Sequence, residues 1–268
     1  MNGSFAPHYR ASQVRRLLEA KKGWTAADML AVQKDVYSGF SHFLARQMAA
    51  AWERHKAAHP NLEAAATLLG SWNGQMEQDL AAPLIAALAY QHLHRALAES
   101  AAGSKAAWDR LLAPAAIERL LRERPGGWFT NWDDPLLEAL RDAADEAGRM
   151  QGRDMGKWRY GNWLVLRVQH PVTSRVPLVG RYFDIGPAPG SGSGTTVKQT
   201  TARMGPSMRM NIDLADWERS LLNVPFGQSG HALSRNYKDQ WPRFYTGESW
   251  PMPFAKLPGG PALYLEPR

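Results

Sequence analysis

The 268-residue sequence contains no cysteine. That excludes disulfides, thiol catalysis and cysteine metal sites, and it leaves the compartment open, because reducing and oxidising environments both accept such a chain. No apolar run approaches the roughly 18 residues that a membrane span needs, and the first residues are polar and aromatic instead of a basic stretch leading to an apolar one. Read alone, the sequence is expected to be soluble, with no membrane span and no export signal. It also lacks HExxH, a Gly-x-Ser-x-Gly elbow, a fixed-period repeat and any segment biased enough to predict disorder.

What is there is ordinary globular composition: 44% hydrophobic residues, enough for one large core or two modest ones. Thirty-two Lys+Arg against 25 Asp+Glu give a formal charge of +7. A basic patch could serve nucleic acid, but the charges do not cluster. Arg15-Arg16, Lys21-Lys22 and Arg119 with Arg122 and Arg124 lie among Glu19, Glu118 and Glu123, as solvated helix faces do, so no nucleic-acid partner is expected.

Apolar spacing divides the chain into a helical region, 1–155, and a β-rich region, 156–268, with an irregular tail. Val14, Leu17 and Leu18 mark a first helix. Thr25, with Asp28 three residues on, is placed to cap a longer second helix carrying Met29, Val32, Val36, Phe40, Phe43 and Leu44. Gly70-Ser71-Trp72-Asn73-Gly74 precedes a helix marked by Leu80, Leu84, Ile85 and Leu88; Pro114 and Pro135 suit first turns. After Gly156 the period changes from about 3.6 to 2. Leu164, Leu166 and Val168 alternate with Val165 and Arg167. Met208, Met210, Ile212 and Leu214 alternate with Arg209, Asn211 and Asp213, which predicts a strand with its apolar side buried and its polar side outward. Residues 186–194 read as a loop, and Trp241 to Phe254, with three prolines, as an irregular tail. Helices segregated from antiparallel strands predict an α+β fold.

Several groups invite functional readings that simpler ones match. Ser229 in Gly227-Gln228-Ser229-Gly230-His231 is one residue short of an elbow and reads as a tight turn. The glycine-rich 186–194 segment lacks the Lys-Ser/Thr pair and following helix of a phosphate loop; Thr195, Thr196 and Val197 favour strand. His55 with His59, and His92 with His94, have metal-like spacing but read as solvated, with Pro60 ending any helix. Asp133-Asp134, and Asp142 with Asp145, read as helix capping and surface charge rather than acid/base pairs. Trp24, Trp52, Trp72, Trp108, Trp128, Trp132, Trp158 and Trp163 read as core residues rather than a stacking surface.

An ordered series of segments resembles one family along nearly the whole chain. It begins at Ala6-Pro7-His8-Tyr9-Arg10-Ala11-Ser12 and continues through Gln33-Lys34-Asp35-Val36-Tyr37-Ser38 and Leu68 to Asp79 around Trp72-Asn73-Gly74. Trp158-Arg159-Tyr160-Gly161, His170-Pro171, Gly186-Pro187 and Thr196-Val197 follow. The series closes with Gly205-Pro206-Ser207-Met208-Arg209, Met210-Asn211-Ile212-Asp213-Leu214, Gly227-Gln228-Ser229-Gly230 and Asn236-Tyr237-Lys238-Asp239-Gln240. Their order and spacing resemble the C-terminal part of the β-subunit of the penicillin acylase (penicillin amidase) family of N-terminal-nucleophile hydrolases. This sequence has Asn73 where the family usually has Asp, Asn236 where it has His, and Lys198 where it has Asn.

The resemblance implies a fragment of the αββα sandwich of those hydrolases. It implies an amidohydrolase in which a chain-terminal serine attacks an amide carbonyl. Its own α-amino group, with an ordinary pKa of roughly 7.7–8.0, serves as base, while a backbone amide and an asparagine side chain form the oxyanion hole. By the resemblance the serine, the asparagine and the calcium-binding carboxylates of many members all lie upstream of Met1, so no cofactor or metal is expected in this chain. The expected partners are an upstream acylase segment carrying the N-terminal Ser and a small N-acylated substrate: a β-lactam, an acyl-homoserine lactone or an acylated peptide. The compartment would be periplasmic if the precursor carries a signal peptide, as in the family. One family active-site position maps here, the arginine ahead of the first helix, Arg10, which the resemblance gives a supporting catalytic role. Spacing alone reads Arg10 as pairing with a helix acid. The isolated chain is expected to be inactive and, with strands uncovered, poorly soluble or associating. The alternative is a non-catalytic binding or structural remnant of the same scaffold; a third reading is plain truncation, by gene decay or a wrongly placed start codon, which Met1 inside a family segment favours over a designed module.

Overall fold

The computed structural model describes residues 7–103, 113–170, 176, 178–203, 205–256, 259 and 266. Met1, Ala6, Trp108 and Pro171, on which expectations above fall, lie outside the described residues. The elements in order are α1 (Tyr9–Glu19), α2 (Ala26–Lys34), α3 (Gly39–His55), α4 (Glu63–Ser71), α5 (Ala82–Ala102), α6 (Pro114–Glu123), α7 (Asp133–Gln151) and α8 (Tyr160–Trp163). They continue with β1 (Val165–Val168), α9 (Gly180–Phe183), β2 (Ile185–Pro189), β3 (Arg209–Asn211), β4 (Leu221–Asn223), α10 (Trp241–Thr246) and β5 (Trp250–Pro251). The long helices precede the strands, two short ones fall among them, and the three-stranded sheet is antiparallel, which makes the fold α+β.

The chain forms two compact units, each discontinuous in sequence. One comprises Met1–Ala20, Asp35–Gln169 and Gly186–Gly205; the other comprises Lys21–Lys34, His170–Ile185 and Pro206–Arg268.

In the first unit α5 lies along α7, and α3 packs against both α4 and α7. Leu44, Met48, Leu84, Ile85, Leu88, Leu93, Leu97, Leu136 and Leu140 are fully removed from solvent. Small residues such as Ala45, Ala51, Ala86, Ala89 and Ala143 let the helices approach. Each large aliphatic side chain buried this way contributes about 1.5–3 kcal/mol. Pro114 opens α6 and Pro135 sits in the first turn of α7, where a missing amide hydrogen costs nothing. Trp72, Trp132 and Trp158 join this core and Trp52, Trp128 and Trp163 pack against it.

The expected long helix from Thr25 to Leu44 is two helices. The capping box forms as read, with Thr25 Oγ1 accepting from the Asp28 amide and Asp28 Oδ2 from the Thr25 amide. Residues 35–38 then run extended because a distant segment takes their backbone bonds. The Ser38 amide donates to the Gly74 carbonyl and the Met76 amide to the Val36 carbonyl, both at 2.9 Å. Ser38 Oγ then caps α3, accepting from the Ser41 amide at 3.0 Å. Gly74 is required here: its φ is +83°, and a Cβ would lie 2.6 Å from the Tyr37 ring and 2.9 Å from His42.

The 186–194 segment begins as strand, not loop. β2 pairs with β1, and Gly186, at φ +86°, passes so close that a Cβ would meet the Leu166 carbonyl at 2.5 Å.

The second unit holds α2, α9, α10 and the antiparallel sheet β3-β4-β5, with Met210 opposite Leu222 and Leu222 opposite Trp250. The expected tail is partly regular, since Trp241–Thr246 is helical and Trp250–Pro251 closes the sheet. Pro242 sits in that helix's first turn, where it is tolerated.

The predicted orientation of β3 is reversed. Arg209 and Asn211 are buried, while Met208, Met210, Ile212 and Leu214 are exposed, Leu214 at 83%. Tertiary contacts account for it. α2 packs on β3, where Gln33 Nε2 donates to Asn211 Oδ1 at 3.0 Å, and Arg209 Nη1 donates to the Phe244 carbonyl at 2.7 Å beneath the Phe244 ring. Burial pushes the Arg209 guanidinium below its ordinary pKa.

Candidate functional site

Arg10 does not precede the first helix; it is the second residue of α1 and is exposed. Its Nη1 donates at 3.1 Å to Gln199 Oε1, 189 residues away, and this amide takes the place of the helix acid that spacing suggested. Gln199 is held in turn. Thr196, fully buried, accepts at Oγ1 from the Ser193 amide at 2.8 Å and donates to the Lys198 carbonyl at 2.7 Å. The Lys198 amide donates to the Asp35 carbonyl at 2.9 Å, and Asp35 Oδ1 accepts from Gln13 Nε2 at 3.0 Å and from the Tyr37 amide. Ser38 Oγ meets Thr195 Oγ1 at 2.8 Å. The α1 helix, the extended 35–38 segment and the 193–199 loop are therefore tied into one frame that presents a guanidinium on an ordered support.

Beside it, on the Tyr9 face of α1, lies an open cavity of about 270 Å³ bounded by Tyr9, Arg16, Tyr37, Phe43, Glu118 and Arg122. Tyr9 Oη donates to Glu118 Oε2 at 2.6 Å, and Arg122 donates to Glu118 Oε1 through Nε and Nη2. Burial opposes the Glu118 charge, yet the hydrogen bonds from Tyr9 and Arg122 outweigh it and hold the carboxyl below its usual range. Burial, with the bond to Glu118, raises the Tyr9 phenol. The Arg16 and Arg122 guanidinium carbons lie 4.6 and 4.5 Å from the Tyr37 and Phe43 ring centres. The frame offers fixed positive charge and aromatic surface; among the described residues it holds no serine activated by a neighbouring base.

The other candidates resolve locally. Ser229 Oγ accepts from the His231 amide at 3.1 Å and the Ser229 amide donates to Asn236, the bonding of a tight turn. His55 Nε2 meets Asp133 Oδ2 at 3.1 Å, His92 Nε2 meets Glu146 Oε2 at 2.8 Å, and the His59 carbonyl accepts from Trp52. Among the described residues no group of three or more His, Asp or Glu is placed to hold a metal ion. Asp133 departs from the surface reading: it is buried and also accepts from Arg54 and Arg124. Sequence reasoning missed Gln13, Asp35 and Gln199, whose roles arise only from partners far along the chain.

The sequence profile of the penicillin amidase family matches residues 1–257. The chain belongs to the penicillin amidase family. A relative is the penicillin acylase 2 proenzyme of Pseudomonas sp. (strain SE83), 26% identical over 259 residues, covering 87% of this chain and 32% of the proenzyme. A solved structure, the thermostable penicillin G acylase from Alcaligenes faecalis, superposes with a TM-score of 0.60 at 15% identity, over 96% of this chain and 52% of that one. This penicillin amidase family chain thus shares part of the N-terminal-nucleophile hydrolase fold of the penicillin G acylase, belongs to a family of hydrolases, and spans about a third of the proenzyme's length and half of the structural relative's. Among its described residues no helix is long and apolar enough to cross a membrane.

Proposed function

We propose that this chain is the C-terminal portion of a penicillin-acylase-like amidohydrolase that cleaves linear N-acyl amide bonds in a β-lactam, an acyl-homoserine lactone or an acylated peptide. The attacking serine and the oxyanion asparagine come from an upstream acylase segment, and the chain alone is inactive. Arg10, seated on Gln199, lies behind the nucleophile and helps order the developing charge; its planar fork suits that task better than a lysine. The observation that carries the reading is a family match across residues 1–257 in a chain that spans 32% of its proenzyme relative.

The test mixes the purified chain with the polypeptide encoded in frame before Met1 and assays a chromogenic phenylacetyl anilide, a fatty-acyl-homoserine lactone and a fatty-acylated peptide. Acyl release is expected only from the mixture. Deacylation by the chain alone, or a stable complex that cleaves none of the three, would overturn the reading.

A further inference from the structure

The sheet β3-β4-β5 is inverted relative to the usual economy of a soluble sheet. Its inward side carries Arg209, Asn211 and Asn223, all buried, with Arg209 directly opposite Asn223. Three of their polar atoms, Arg209 Nε, Asn211 Nδ2 and Asn223 Oδ1, have no hydrogen-bond partner among the described residues. An antiparallel sheet that leaves one side to water normally puts its polar residues there. This one does the reverse.

The outward side is largely apolar, with the Arg243 guanidinium carbon 3.9 Å from the Trp250 ring centre. Met210, Leu222 and Trp250 are cross-strand neighbours on one face of the three strands, and Met208 and Ile212, flanking β3, are exposed. Met210 is 44% and Trp250 40% exposed, and Leu222 is half-buried. Contiguous apolar patches larger than a few hundred Å² are rare on the surface of soluble monomers and mark interaction sites. A register slip of one residue would reverse both faces, but the register is pinned by the Gln33–Asn211 bond and by Arg209 under Phe244.

We infer that this outward face is a docking surface for the acylase polypeptide that the relatives carry beyond the region this chain matches, which rests on the reading given under Proposed function. The occupant follows from the lengths. The chain spans 32% of the proenzyme and 52% of the structural relative, so each relative has a large body of further polypeptide. A flat apolar sheet face takes a second layer, sheet or helix, at about 10 Å. Met208 and Met210, flexible and polarizable, suit packing against such a layer.

The full chain, alone and mixed with the polypeptide encoded in frame before Met1, is treated with hydrogen peroxide. Sulfoxide at Met208 and Met210 is then read by mass spectrometry against an added methionine peptide. In the lone chain both are expected to oxidise readily; in the co-eluting complex Met210 is expected to be protected at least tenfold. Met210→Glu, on an exposed position, is expected to weaken association at least tenfold with an unchanged melt, while Leu233→Glu, 81% exposed and off the sheet, leaves it unchanged. Co-elution without protection, or full affinity in Met210→Glu, overturns the docking surface and leaves the split-enzyme reading standing. Failure to associate overturns both. Protection that rises with the concentration of the lone chain would make a second copy the occupant and also overturn the inference.

Discussion

Arg54 grips Asp133 through two parallel hydrogen bonds, Nε to Oδ2 at 2.7 Å and Nη2 to Oδ1 at 2.6 Å. Arg124 Nη1 and His55 Nε2 also meet this carboxylate, whose side chain is only 6% exposed. The C-terminal end of α3, the residue closing α6 and the first turn of α7 meet at this one group, so it fixes where three helices end or begin.

The hydrogen bonds from Arg54 hold the Asp133 carboxyl at about 2, against an ordinary value of 3.8. A depressed folded-state pKa contributes stability above the unfolded value that is lost as pH falls through the folded one. Roughly two pKa units correspond to about 2–3 kcal/mol. Asp133→Asn is therefore expected to lower unfolding free energy by about 2–3 kcal/mol at pH 7, since it leaves the half-exposed Arg54 and Arg124 guanidiniums facing a neutral amide. The gap to the unmodified chain should close as pH falls from about 4 to 2. Urea denaturation at several pH values measures it, and a pH-independent gap would contradict the assignment.

Gly74→Ala is expected to cost at least about 2 kcal/mol, combining strain at φ +83° with contacts to Tyr37 and His42 that a Cβ cannot make without displacement. A shift of the denaturant midpoint by less than about 0.5 kcal/mol would show that the 35–38 pairing adapts.

Ser38→Ala removes the α3 cap and the hydroxyl that meets Thr195 in a fully buried position. A loss of about 1–2 kcal/mol is expected, with faster hydrogen exchange at the Ser41 amide. Unchanged exchange there would remove the cap from the account.

Arg10→Ala should leave folding within about 0.5 kcal/mol, because the side chain is exposed and bonds to a neutral amide. In the assembled enzyme its turnover is expected to fall by on the order of ten- to a hundredfold with association intact, and Arg10→Lys should not restore it. Turnover equal to that of the unmodified assembly would remove Arg10 from the site.

Much of this was legible in the residues. The Thr25–Asp28 capping box, the first turns at Pro114 and Pro135 and the turn at Ser229 depend on partners within a few residues, so spacing alone locates them. The break between α2 and α3 was not, because the 74–76 segment competes for backbone bonds that a continuous helix would otherwise form. The seat of Arg10 on Gln199 was equally hidden, since nothing near either residue marks the other.

The sequence by itself determined the family, the order of helices before strands and the absence of thiol chemistry, because these rest on composition, local periodicity and the order of short segments. Only the tertiary structure decided which face of β3 turns inward. A period of two defines two faces but does not say which one a neighbour covers, and here α2 and Phe244 claim the polar side and leave the methionines outward.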